Sequence, residues 1–142
     1  MSRRHRARRL ALQALCGLDV QGERARDSID AFVGDSRESP ETVALAREMI
    51  SGVLAEREIV DGLLVRHARH WQLGRLALVD RNILRLGGWE LCEGRTPFRV
   101  VITEALNLAH EFSTAESPRF INGIVDAVSR ERREGADPTP GQ

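Results

Sequence analysis

Residues 3–16 read Arg-Arg-His-Arg-Ala-Arg-Arg-Leu-Ala-Leu-Gln-Ala-Leu-Cys, five arginines and a histidine that run into an apolar pattern. The apolar residues recur with the i, i+3, i+4, i+7 spacing of one helix face. They are Ala7, Leu10, Ala11, Ala14, Leu15 and Leu18. The stretch predicts a helix from about Arg4 to Gln21 that docks by this face and presents arginine to a polyanion such as RNA. A solvated basic helix end is the alternative at this point.

The charge of the chain is unevenly distributed. Its 142 residues carry 21 basic and 21 acidic side chains, and no acidic residue precedes Asp19. A local basic patch determines where a polyanion binds even when the net charge is zero. No apolar run is long enough to span a bilayer, and the N-terminal residues do not fit a secretion signal. Two cysteines, Cys16 and Cys92, fit buried apolar groups in a reducing cytoplasm.

Helical signals recur along the rest of the chain. Three pairs, Ser39-Pro40, Thr96-Pro97 and Ser117-Pro118, place an N-cap residue before a proline at the first helical position. Asp27 or Ser28 would cap a short helix after the first one. No strand-like alternation occurs, and Asn122-Gly123 lies inside a periodic helical segment. The sequence therefore predicts an all-α bundle of six or seven helices, with a single domain over 1–133 and a disordered tail over 134–142.

A central helix from Leu76 to Leu91 contains the pair Gly87-Gly88 in its interior. Each glycine costs roughly 1 kcal/mol relative to alanine in a helix. The pair therefore predicts a close approach between this helix and a neighbour.

Motifs for catalysis are absent from the sequence. No glutamate has a histidine three residues later, so the paired Glu-x-x-His ligands of a di-metal helical bundle are missing. His67 and His70 have no further ligand of fitting spacing, and no nucleotide-binding or nucleophile motif occurs. The acidic residues in helix interiors fit caps, ion pairs or partner contacts. We expect a binding protein without metal or cofactor, not an enzyme.

Four segments, taken in order, resemble the NusB family of transcription antitermination factors. They are 3–15, 79–91, 101–105 and 119–126, and they extend over most of the chain. The resemblance implies two packed helical subdomains. It also implies pairing with the ribosomal protein NusE, binding of boxA-type single-stranded RNA, and action with RNA polymerase in read-through of ribosomal RNA operons.

The resemblance also assigns residues by position. The RNA-binding set would be Arg3, Arg4, Arg6, Arg8, Arg9, Glu116, Arg119, Phe120 and Asn122. Asp80 would face NusE, and Cys16 would take a partner-binding position that is commonly aromatic in the family. Plain core packing is the alternative for Phe120. About five arginine–phosphate contacts predict a log–log salt slope near −3.5.

Three other interpretations stay open. One is the RNA-binding module that precedes the catalytic domain of some ribosomal RNA methyltransferases. Another is a helical scaffold whose arginines bind an acidic protein. The third is a homodimer formed through the same surfaces.

Overall fold

The computed structural model describes residues 2–68 and 72–136, and within these ranges it contains helices and no strand. The helices are α1 (Arg3–Gln21), α2 (Arg26–Gly34), α3 (Pro40–Ala55), α4 (Arg57–His67), α5 (Leu78–Glu93), α6 (Phe98–Phe112) and α7 (Ser117–Ala136). Short 3₁₀ turns occupy Glu23–Ala25 and Leu73–Arg75. The predicted all-α bundle of six or seven helices is confirmed, with seven α-helices in the described residues.

The helices form two packed groups. Helices α1, α2 and α3 contact one another, and α4, α5, α6 and α7 form the second group. Helix α5 is the centre of the bundle, since it packs against α1 and α3 as well as against its own group. Every residue from Asn82 to Leu91 is buried. The two predicted subdomains therefore share one continuous core, and the contact between α1 and α5 joins its two parts.

Helix α1 has the predicted bounds within one residue. The Ser2 side chain accepts a hydrogen bond from the His5 backbone N–H, and the helix ends at Gly22 with φ of 80°. All six apolar residues of the predicted face are buried. Leu12 and Arg8 are buried as well. The enclosed face of α1 is therefore wider than one apolar stripe, because α3 covers one flank and α5 another.

The predicted helix starts are only partly correct. Ser39 caps α3 by accepting the Thr42 backbone N–H at 3.2 Å, with Pro40 first in the helix. Pro97 itself is the residue before α6, and Thr96 does not cap it. Ser117 is already the first residue of α7. Helix α2 begins at Arg26 after a 3₁₀ turn, so the caps predicted at residues 27 and 28 are wrong.

Two glycines allow close helix packing. A Cβ added at Gly88 would lie 3.0 Å from Val60 Cγ1, which confirms a close approach of α4 to α5. A Cβ at Gly52 would lie 2.2 Å from Trp89 Cζ2, so the indole rests on the backbone of α3. The sequence pattern did not reveal this second contact, because Gly52 and Trp89 lie on separate helices.

The predicted domain limit, the predicted tail and the pair His67 and His70 remain to be compared with the structure. Helix α7 extends to Ala136, beyond the predicted domain limit at residue 133. The rest of the predicted tail, 137–142, lies outside the described residues, as do His70 and Trp71. His67 hydrogen-bonds with Glu131, at 3.0 Å.

In the described part of the chain no helix has the length and apolarity to cross a membrane.

Candidate nucleic-acid interface

The arginine segment, residues 3–9, forms the first turns of α1, and one side of it is buried while the other is exposed. Arg8 is only 1% exposed, and its guanidinium donates from Nε to Glu90 Oε2 at 2.9 Å and from Nη2 to Glu90 Oε1 at 2.8 Å. Glu104 Oε1 lies 3.5 Å from Arg8 Nη1. Burial opposes the charge of Arg8, but the hydrogen bonds with Glu90 and the nearby Glu104 outweigh it and raise the pKa of the guanidinium.

The structure therefore does not support the assignment of Arg8 to RNA binding. Its donors face the core, where a phosphate cannot reach them. The absence of an acidic residue before Asp19 suggested that the arginines were not neutralised. The countercharges come instead from α5 and α6, far along the chain, and their pairing depends on the fold.

His5 and Arg9 lie on the flank of α1 that faces α6. His5 Nδ1 hydrogen-bonds with Glu104 Oε2 at 2.7 Å, and Arg9 Nε lies 2.7 Å from Glu111 Oε1. The Arg9 guanidinium also sits over the Phe112 ring, 5.7 Å from its centroid. The Arg9 side chain remains 35% exposed. A phosphate that contacts Arg9 must therefore compete with a carboxylate already in place.

Arg3, Arg4 and Arg6 form the exposed side of the arginine segment. None of the three makes an ion pair or a side-chain hydrogen bond to another residue in 2–68 or 72–136. They project from a helix that the Arg8–Glu90 pair anchors in the core. This arrangement places three uncompensated guanidinium groups on a rigid support, as a phosphate-binding surface requires.

The start of α7 presents the second part of the predicted set. Glu116, Arg119 and Asn122 are exposed, and Phe120 packs partly against the core. Phe120 and Glu116 also line a surface cavity of about 220 Å³ together with Asp80. The predicted residues of α7 are thus accessible, while Phe120 also has the packing role named as its alternative.

Asp80 presents little of its side chain to solvent. It is 8% exposed and accepts hydrogen bonds from Ser113 Oγ at 2.6 Å and from Ser117 Oγ at 3.0 Å. The predicted direct contact of Asp80 with a partner is therefore not supported, because both oxygens are used inside the molecule. Asp80 instead holds the α6–α7 connection against the start of α5.

A further polar cluster joins the end of α1 to α5. Asp19 Oδ2 accepts from Arg81 Nε at 2.8 Å, from Asn82 Nδ2 at 3.0 Å and from Arg85 Nη1 at 3.1 Å. Burial opposes ionisation of Asp19, but these hydrogen bonds and the two arginine charges lower its pKa. The sequence carried no signal for this cluster, since Asp19 and Arg81 are 62 positions apart.

Cys16 lies beside this cluster and is half-buried. Burial, together with the charge of Asp19, raises the pKa of its thiol to about 11. The side chain is therefore a neutral thiol at physiological pH. Its partial exposure leaves it accessible to a partner, as the assignment by position requires.

Comparison with known proteins matches the chain to a family. The NusB family model matches residues 5–130. A protein of Solibacter usitatus named transcription antitermination protein NusB is 43% identical over 136 residues, which covers 94% of this chain and 93% of the relative.

Solved structures agree with this family match. NusB of T. maritima has a TM-score of 0.79 at 30% identity, over 94% of this chain and 98% of that one. A chain in a structure of antitermination factors NusB and NusE in complex with dsRNA has a TM-score of 0.81 at 25% identity, over 92% of this chain and 98% of that one.

Proposed function

This chain belongs to the NusB family of transcription antitermination proteins, and on that basis we propose that it pairs with NusE and binds boxA-type single-stranded RNA. In this proposal it acts in the cytoplasm, within the RNA polymerase antitermination complex, and promotes read-through of ribosomal RNA operons. The similarity to a chain in a structure of NusB and NusE in complex with dsRNA supports NusE and RNA as partners.

The observation that carries the proposal is the anchored set of exposed arginines, Arg3, Arg4 and Arg6. Phosphate contacts position an RNA strand but do not read its sequence. Specificity therefore has to come from a few contacts to bases and from the surface that NusE adds. Asn122, exposed at the start of α7, is the proposed base contact on this chain, and Arg119 beside it is the proposed fourth phosphate contact.

The geometry changes the expected salt dependence. Arg8 is buried and Arg9 is engaged with Glu111, so three to four phosphate contacts remain, from Arg3, Arg4, Arg6 and Arg119. At about 0.7 counterions released per contact with single strands, the log–log slope falls to between about −2 and −3. This is shallower than the value of about −3.5 expected from five arginines.

The test is binding of labelled boxA-type RNA, measured with and without NusE across a range of salt concentrations. Replacement of Arg3, Arg4 and Arg6 by alanine is expected to remove most of the affinity and most of the slope. Arg24→Ala is the control for loss of a surface arginine, because Arg24 is also exposed and lies beyond the other end of α1. Equal affinity of the triple variant and the control would refute the proposal, and so would failure of the wild type to bind with NusE present.

Contact with NusE is tested separately at Cys16. If Cys16 lies in that interface, NusE slows its alkylation at pH 9, where enough thiolate is present to measure. The rate at Cys92, followed in the same digest by mass spectrometry, is the internal reference. An unchanged ratio of the two rates in the complex would remove Cys16 from the interface.

A further inference from the structure

A second basic surface lies where the α5–α6 connection meets the last turns of α7. It surrounds a groove of about 280 Å³, whose lining includes Leu91, Pro97 and Phe98 as apolar residues and Arg132 and Arg133 as basic ones. We infer that this groove, which we call the α7 groove, binds a nucleotide of the RNA strand that the arginine segment holds. The inference rests on the proposed function and extends its RNA-binding surface.

Arg133 is held in place by two kinds of contact. Its guanidinium lies over the Phe98 ring, 4.0 Å from the centroid, and its Nε donates to the backbone oxygen and Oγ of Ser129 at 3.3 Å each. Arg99 approaches the same ring, 5.3 Å from the centroid. Guanidinium planes accept stacked bases, and their remaining N–H groups bind phosphate. A positioned arginine beside an aromatic ring thus offers both contacts that a nucleotide needs.

Arg132 adds a charge that the protein does not neutralise. Its side chain is exposed and makes no ion pair or hydrogen bond with the part of the chain that the structure describes. The preceding carboxylate, Glu131, is already engaged by Arg66 and His67. The basic edge of the α7 groove therefore favours an anionic occupant, and its apolar lining favours one with a flat, weakly polar part. A nucleotide combines these two properties.

The α7 groove lies beside the arginine segment. Thr96 lines the groove and also lines a smaller cavity of about 70 Å³, whose wall includes Arg4. A strand that contacts Arg4 would cross this smaller cavity, which Glu93 and Arg95 also line, to enter the groove. The nucleotide in the α7 groove would lie next to the RNA stretch that α1 contacts, at one end of the bound RNA.

The experiment compares a short labelled RNA with two extended ones by fluorescence anisotropy, with NusE present. The short one is a 12-nucleotide boxA-type RNA, and the extended ones carry eight added uridines at either end in separate probes. For the wild type, one extension is expected to tighten binding by at least about fivefold, the gain that stacking of a single base supplies. In the double variant Arg132→Ala/Arg133→Ala this gain disappears, and the salt slope for the long RNA falls by about 1.4.

The matched control is Arg130→Ala, on the same helix but paired with Asp126. It is expected to leave both affinities unchanged, and the short RNA should bind all variants alike. The inference is overturned if neither extension helps the wild type, if the double variant keeps the gain, or if a polyglutamate peptide displaces the extension as well as oligouridine does. Loss of binding to the short RNA by the wild type would instead refute the proposed function.

Discussion

Arg8 of α1 and Glu90 of α5 form a two-bond ion pair inside the core, 82 positions apart in the sequence. The two side chains are 1% and 6% exposed. The pair joins the two helical groups at the point from which the exposed arginines project. It is a structural contact, although it lies within the most basic segment of the chain.

Arg8→Ala is therefore expected to destabilise the protein by about 3–5 kcal/mol, because Glu90 would remain buried without its main partner. Urea unfolding at pH 7 measures the loss. The double variant Arg8→Met/Glu90→Leu should recover most of it, since both charges are then gone. Arg6→Ala, on the exposed side, should unfold like the wild type. Similar midpoints for Arg8→Ala and Arg6→Ala would contradict the buried pair.

Glu111→Gln is expected to tighten RNA binding about two- to fivefold. The change releases Arg9 from its carboxylate partner, and a partly exposed pair of this kind is worth up to about 1 kcal/mol. Anisotropy titration at low salt measures the effect. Glu58→Gln removes the same charge from an exposed site on α4 and serves as the control. An equal gain in both variants would indicate a general effect of net charge.

Asp19 is expected to make the free energy of unfolding depend on pH in the acidic range. Its pKa is lower in the folded state, so its contribution is present above the unfolded value of about 3.9 and is lost as the pH falls through the folded value. Asp19→Asn should therefore be less stable than the wild type at pH 7. The difference should shrink below about pH 4, as measured by denaturant unfolding across pH. A difference independent of pH would show that the charge of Asp19 does not matter.

Cys16 is expected to react slowly with iodoacetamide. With a pKa of about 11, its thiolate fraction at pH 8 is about two orders of magnitude below that of an unperturbed thiol. The alkylation rate of Cys16 in a Cys92→Ala variant, compared with the alkylation rate of glutathione at the same pH, measures this difference. The rate should still be rising at pH 10. A plateau by pH 9 would contradict the raised pKa.

Gly52→Ala and Gly62→Ala are expected to have opposite effects. A methyl group at Gly52 would overlap the Trp89 indole and force the α3–α5 packing apart, at a cost of about 1–3 kcal/mol. A methyl group at Gly62 in α4 meets no atom within 4 Å, and alanine there should add about 0.5–1 kcal/mol through helix propensity. Thermal unfolding of both variants checks the sign of each change. Destabilisation by both would contradict the open space at Gly62.

Local sequence determined helix α1 and the start of α3. The apolar spacing of α1 predicted its bounds and its buried face, because a 3.6-residue period needs no information from elsewhere in the chain. Ser39-Pro40 predicted the start of α3 for the same reason, since a cap bonds within its own first turn. The same periodicity placed all five arginines outside the apolar face, which holds for Arg3, Arg4 and Arg6 but not for Arg8.

Tertiary structure decided which charges are available. Arg6 and Arg8 are the same residue type two positions apart, yet one is exposed and the other is buried against Glu90. Asp80 is likewise withdrawn from a partner by two serines at the α6–α7 connection. The physical reason is that a carboxylate neutralises a guanidinium over a few ångströms in space. The distance between the two groups depends on how α1 packs against α5 and α6, and no local sequence pattern encodes that packing.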